Sequence, residues 1–230
     1  MIAHYDWAGG REAMLRFGPA DGPLVVLAMP LFEEANRTRA FAATLLRALA
    51  DHGIASLLPD LPGTGESVIE LEDISATDWV EAFSSVASDR PRHVAALRGG
   101  CLIAGNVPAL SRWYFAPATG EAVIRDLVRT RQIADREAGR AFDAAELDRD
   151  GPPIELAGNG IPRPLLRALR DAEPDQMPPC RVVRLESDER PAARHVPGPA
   201  LWRRSEPDND PALAALLAED LARWVRQCAK

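Results

Sequence analysis

The sequence predicts one α/β domain, residues 1–230, built around a doubly wound, mostly parallel sheet. Three observations lead there. Short, largely apolar runs recur along the first half of the chain, segments of helical period separate them, and the connections between the two are short. A chain of 230 residues can bury a sizeable core in one such domain, and no Gly/Ser-rich or charge-run linker divides it.

The elements follow in order. Pro23-Leu-Val-Val-Leu-Ala-Met29 has the composition of a strand buried on both faces. From Arg37 to His52, the recurrence of Phe41, Leu45, Leu46 and Leu49 predicts a helix, with Gly53 placed to cap its end. Residues 54–60 read as a second buried strand, and Leu61-Pro-Gly-Thr-Gly-Glu-Ser67 is turn chemistry. Trp79, Val80 and Phe83 predict a helix over Thr77 to Ala87, with Ser75 or Thr77 as its N-cap. His93 to Leu97 is a third strand, and a helix is expected to begin at Gly99 and run to Val107. Trp113 to Ala116 and Arg181 to Leu185 complete the predicted strands.

Between those last two strands lies a predicted insertion, residues 117–178. It carries amphipathic helices from Glu121 to about Ala138 and from Pro164 to Ala172. Such an insertion would form a small helical lid above the carboxyl ends of the strands, where ligands bind in open α/β sheets. The chain closes with an amphipathic helix from Pro211 to Arg226, whose Leu213, Leu216, Leu217, Leu221 and Trp224 are expected to face the core.

Composition narrows the function classes. Hydrophobic residues make up 47% and charged residues 27%, and the formal net charge is −7. That balance argues against nucleic acid as the main partner, since phosphate contacts need a cationic surplus. Cys101, Cys180 and Cys228 are far apart and show no CxxC spacing, so neither a disulfide framework nor a metal site is expected. No residue pattern calls for a cofactor. Asp6 and Glu12 interrupt the N-terminus, and no run approaches the roughly 20 apolar residues that span a bilayer. The expectation is a cytoplasmic protein without a membrane span.

The informative motif follows the third strand. In the α/β-hydrolase fold the nucleophile stands on a sharp strand-to-helix turn with the pattern G-x-S-x-G, where small neighbours relieve the crowding. Here Ala96-Leu97-Arg98-Gly99-Gly100 fills the five positions, keeping the small residues and replacing serine with arginine. A guanidinium stays protonated and is no nucleophile, but it holds carboxylates and phosphates by paired hydrogen bonds. Two readings of Arg98 stand side by side: an internal ion pair to Glu33 or Glu34, or a ligand contact.

The remaining triad positions are thin. Asp188 follows the strand that usually precedes the acid. The segment Val196-Pro-Gly-Pro-Ala-Leu-Trp202 resembles a hydrolase "IPGAGHF" stretch and puts Leu201 where the histidine is expected, with His195 just before it. Cys101, three residues beyond Arg98, is the alternative nucleophile, because a helix N-terminus favours a thiolate. Core packing is the competing reading for that cysteine.

Two loops frame the predicted pocket. Met29-Pro-Leu-Phe-Glu-Glu-Ala-Asn-Arg37 occupies the place of the loop that supplies one oxyanion-hole amide, from Leu31 or Phe32, with Gly99 supplying the other. Glu33 and Glu34 beside it also suit a helix N-terminus. Asp60 to Ser67 resembles the D-x-x-G-x-G-x-S loop of the superfamily, and its glycines are expected to serve the turn.

Taken together, these stretches resemble one branch of that superfamily, the exosortase A system-associated hydrolases of the kind called hydrolase 2. Pro30-Leu-Phe-Glu-Glu-Ala-Asn-Arg-Thr-Arg39 is similar to a family "PFAEEMNKSRR" loop, and Leu97-Arg-Gly-Gly100 to "LRLGA". Pro117-Ala-Thr-Gly-Glu121, Leu127-Val-Arg-Thr-Arg131, Ile154-Glu-Leu-Ala-Gly158 and Gly198-Pro-Ala-Leu-Trp202 (like "GEPFW") follow in the family's order. The sequence departs from the pattern at Ala200-Leu201, where an aromatic residue is expected before Trp202. The resemblance implies a bacterial protein tied to exopolysaccharide and protein-sorting loci, with arginine typical at the elbow.

The readings that follow are three. In the first, a protein lacking the serine nucleophile binds a small anionic or acyl ligand near Arg98, Gly99, Leu31, Phe32, Glu33, Glu34 and Trp202. In the second, a divergent hydrolase or acyltransferase uses Cys101 or Asp188 with His195. In the third, a non-catalytic interaction module docks a protein partner or a second copy of the chain through residues 120–175.

Overall fold

The computed structural model describes residues 1–229. An eight-stranded sheet runs through its centre in the order β1-β2-β4-β3-β5-β6-β9-β10. The strands are β1 (Ile2–Trp7), β2 (Gly10–Phe17), β3 (Leu24–Ala28), β4 (Ala55–Pro59), β5 (His93–Leu97), β6 (Arg112–Phe115), β9 (Cys180–Leu185) and β10 (Arg194–Val196). From β4 to β10 every pairing is parallel, while β1 and β2 form an antiparallel hairpin that joins the edge through β4. Every residue of β3, β4, β5 and β6 is buried, the polar Ser56, His93 and Arg112 included, as expected of strands covered on both faces.

Helices cover both faces. On one side α1 (Glu33–Asp51) and α6 (Pro211–Cys228) pack together against Leu27, Leu58, Trp113 and Phe115. On the other, α2 (Ala76–Ser85) and the short α3 (Cys101–Ala104) pack near Val26, Val94 and Tyr114. Between β6 and β9 the chain forms α4 (Gly120–Glu137), a small hairpin of β7 (Ile154–Leu156) and β8 (Asn159–Ile161), and α5 (Arg163–Arg170). Ser75 caps α2 in a reciprocal box with Asp78, and Asp210 caps α6 through the Leu213 amide.

Several elements depart from the sequence expectation. The β1–β2 hairpin was absent from it, because β1 and β2 between them bury only Tyr5 and Glu12 and show no apolar run. Helix α1 starts at Glu33, four residues before the expected start at Arg37, since acidic residues suit its first turn. The helix expected over residues 99–107 shrinks to α3 after a 3-10 turn at Arg98–Gly100. On α6, Leu216 and Trp224 are only partly buried, while Ala214, Ala218 and Ala222 lie fully inside.

The far half of the sheet is tied to α6 by a carboxylate inside the core. Asp220, 1% exposed, accepts from Trp113 Nε1 at 2.9 Å, from Arg181 Nε and NH2 at 2.8 Å each, and from Arg194 NH1 at 3.2 Å. Burial alone would raise its pKa. The donors from Arg181, Trp113 and Arg194 outweigh burial and hold the carboxyl at about 2. A folded-state pKa below the unfolded one gives stability that is complete above the unfolded carboxylate range and is lost as pH falls toward 2. We expect Asp220→Ala to cost about 3 kcal/mol in urea titrations at pH 7, because it leaves the half-buried Arg181 and Arg194 guanidiniums and the Trp113 indole without their shared acceptor. The gap from wild type should narrow by about 2 kcal/mol as the titrations are taken from pH 5 to pH 2.

Candidate functional site

Three non-glycine residues with left-handed backbone stand at the carboxyl ends of three adjacent parallel strands. Phe32 (φ 55°) follows β3, Arg98 (φ 51°) follows β5 and Ala116 (φ 48°) follows β6. Such conformations cost about 1–3 kcal/mol each and gather at functional sites, where the surrounding packing enforces them. At the elbow the enforcement is visible. A Cβ on Gly100 would come within 2.3 Å of Met29 O, and one on Gly99 within 3.0 Å of Val123 Cγ2 and 3.2 Å of Leu31 Cγ. Only glycine lets the turn after Arg98 sit this close to the β3 loop and α4.

The Arg98 side chain is 9% exposed and its hydrogen-bonding capacity is largely used inside the protein. NH2 donates to Glu34 Oε1 at 2.9 Å, and Nε lies 3.3 and 3.2 Å from Oε1 and Oε2. NH1 donates to Ala116 O at 3.3 Å. The guanidinium carbon lies 4.7 Å from the centroid of the Trp202 ring, a cation–π contact, and Asp126 Oδ2 is 3.9 Å from NH2. Of the two readings open at the elbow, the ion pair is formed, and its partner is Glu34. Glu33 pairs instead with Arg37, 3.6 Å away and one turn along α1. Burial raises the Glu34 carboxyl above its usual range, and the Arg98 charge opposes that rise.

A cleft lies over this cluster, in two lobes that share Asp126, Trp202 and Arg203. One, of about 520 Å³, is bounded by Leu31, Phe32, Val123 and Leu127 with Glu33, Glu34, Arg37 and Arg129. The other, of about 490 Å³, has Ala116, Ala118, Ala122 and Ala200 for walls and Arg98, Arg125 and Asp188 among its polar groups. Leu31, Phe32, Glu33, Glu34, Arg98 and Trp202 from the sequence therefore converge on one place, with Gly99 packed behind Leu31. Sequence reasoning missed the α4 contribution. Its signal was the helical spacing of Val123, Asp126, Leu127 and Thr130, which puts all four on the face turned toward the cleft.

The three candidate catalytic residues do not meet. Cys101 is fully buried, and burial pushes its thiol well above the usual range, so it is no ready thiolate. Asp188 is held well below the usual carboxylate range by the Arg190 guanidinium and amide and by Arg184 NH1. His195 is exposed on β10, with Nε2 3.0 Å from Arg190 O. Among the described residues no hydrogen bond links His195 to Asp188 or Cys101. His93, the buried histidine on β5, shares a 2.8 Å hydrogen bond with Ser111 Oγ and is held below its usual pKa by burial.

Solved structures match this arrangement over its whole length. Est1E from Butyrivibrio proteoclasticus, bound to ferulic acid, matches with a TM-score of 0.66 at 15% identity, over 99% of this chain and 100% of that one. Alpha/beta hydrolase domain-containing protein 10 from mouse matches with a TM-score of 0.64 at 14% identity, over 99% of both. The fold is the α/β-hydrolase fold. The bottromycin epimerase BotH, in complex with bottromycin A2, also matches, with a TM-score of 0.52 at 17% identity over 99% of both chains. No family model matches the chain, and no curated protein matches it either. No helix among the described residues is long and apolar enough to cross a membrane.

In this α/β-hydrolase fold the elbow ion pair should be measurable as a coupling. Glu34→Leu alone leaves the Arg98 charge buried without its partner and should cost about 3 kcal/mol in chemical denaturation. Adding Arg98→Met to that variant should recover at least about 1 kcal/mol, because both charges then leave together. Strictly additive costs would mean that the two side chains are independent.

Proposed function

We propose that this chain is a ligand-binding protein of the α/β-hydrolase fold that works without a serine nucleophile. Its ligand is a small anionic or acyl compound held in the cleft over Arg98. One observation carries this reading: the left-handed turn after β5 presents a guanidinium already engaged by Glu34, Ala116 O and Trp202. Nucleophilic catalysis needs an exposed, activated atom at that turn and a base within hydrogen-bond reach. Arg98 supplies neither.

Arg98 has a different part in this proposal. It braces Glu34, Ala116 and Trp202, residues from three separate segments, so that the cleft walls are rigid before a ligand arrives. The insertion over residues 117–178 serves as a lid through α4. The resemblance to exosortase A system-associated hydrolases supports a setting in bacterial exopolysaccharide metabolism, with the protein acting in the cytoplasm. Fold likeness does not dictate hydrolysis, since the same fold matches a protein named an epimerase.

Purified protein incubated with a panel of short and long esters and thioesters should show no turnover above the buffer rate. Arg98→Ser should not create it, because no histidine stands by. Turnover in the unaltered protein that disappears in Cys101→Ala or His195→Ala would overturn the proposal and establish a relocated catalytic group.

A further inference from the structure

The charge along the cleft is at odds with the charge of the chain. Six arginines line the two lobes against five carboxylates, although the protein as a whole carries −7. Most of these groups are already matched. Arg98 pairs with Glu34, Arg37 with Glu33 and Arg190 with Asp188. Among the described residues the guanidiniums of Arg125, Arg129 and Arg203 have no carboxylate within 4.0 Å and donate no hydrogen bond, although the Arg203 amide donates to Ala200 O. Arg125 and Arg129 are one turn apart on α4, and Arg203 faces them from the turn after β10. Asp126 and Glu189 are the carboxylates left to oppose them, and Asp126 leans toward Arg98.

Beside Arg129 and Arg203 the larger lobe has an apolar part, made by Leu31, Phe32, Val123 and Leu127, next to the paired Glu33, Glu34 and Arg37, and it shares Trp202 with its neighbour. Phe32 and Trp202 are held in place by other contacts, Phe32 against Trp79 at 5.7 Å between ring centroids and Trp202 against Phe115 at 6.0 Å. A ligand that matches both halves has a hydrocarbon portion for the base and an anion for the rim.

We propose that the lobe between α4 and the Leu31–Glu34 turn binds an amphiphilic phosphate. The alkyl or acyl chain lies on Leu31, Phe32, Val123 and Leu127, and the phosphate oxygens accept from Arg129 and Arg203. This deepens the functional reading above and rests on it. Arginine suits the rim because its planar fork meets phosphate oxygens two at a time. The matched pairs at the base matter equally: with Arg98 and Arg37 already neutralised, the phosphate is drawn to the rim, and the chain alone enters the lobe.

Calorimetric titration with decyl phosphate, kept below its micelle concentration, tests this. Inorganic phosphate and decyl glucoside serve as the headgroup-only and chain-with-neutral-head probes. Decyl phosphate should bind at one site, at least about tenfold more tightly than either. Arg129→Gln/Arg203→Gln should weaken it about tenfold or more, whereas Arg16→Gln/Arg136→Gln, an equal loss of charge elsewhere, should leave it within about twofold. Thr130→Trp, an exposed position on the lobe's rim, should block it without disturbing the core. Equal binding of decyl glucoside, blocked by Thr130→Trp, would overturn the phosphate assignment while leaving ligand binding in the cleft intact. Equal binding of inorganic phosphate would overturn the role given to the apolar base. No saturable binding of any probe would overturn the inference outright, and the ester panel would then judge the functional reading separately.

Discussion

A guanidinium cannot give up its charge, and placing one at the elbow of this fold constrains everything around it. Water is nearly excluded from Arg98, so the protein itself must supply the acceptors. Glu34 comes from the first turn of α1, Ala116 O from the end of β6, and the Trp202 face from the turn after β10. None of these belongs to the strand that carries Arg98. The elbow is thus the point at which four segments of the chain are held in register. In a serine hydrolase the same turn must leave its side chain free to react.

The left-handed conformations at Phe32, Arg98 and Ala116 follow from that role. Each bends the chain sharply as it leaves a strand, and each is retained although its side chain disfavours it. Arg98 and Ala116 are joined directly by a hydrogen bond, and Phe32 immediately precedes the helix that delivers Glu34. The strain and the ion pair go together: the bends bring the partners within reach, and the partners add to the packing that holds the bends.

Much of this architecture was legible in the sequence, for identifiable reasons. β3 to β6 are apolar apart from Ser56, His93 and Arg112 because both their faces are covered, so short apolar runs and turn chemistry sufficed to find them. The Ala96–Gly100 pattern located the elbow, because close packing leaves room only for small residues there. The β1–β2 hairpin escaped because its strands lie at the edge and bury little. The partner of Arg98 was narrowed to Glu33 or Glu34 but not chosen, since the choice depends on where α1 begins, and α1 begins eight residues before Phe41, its first periodic apolar position. The α4 wall escaped because Asp126 and Thr130 look like surface residues until the rest of the fold is placed opposite them.

Asp220 bears on the order in which the chain acquires its structure. Its donors, Trp113, Arg181 and Arg194, are all made before it on the ribosome, and the carboxylate that satisfies them arrives on α6. Until then β6, β9 and β10 hold an indole and two guanidiniums that have no anion in the sheet to answer them. The far half of the sheet thus depends on α6 for its counter-charge, and a chain cut short before α6 would leave Arg181 and Arg194 without the carboxylate they share.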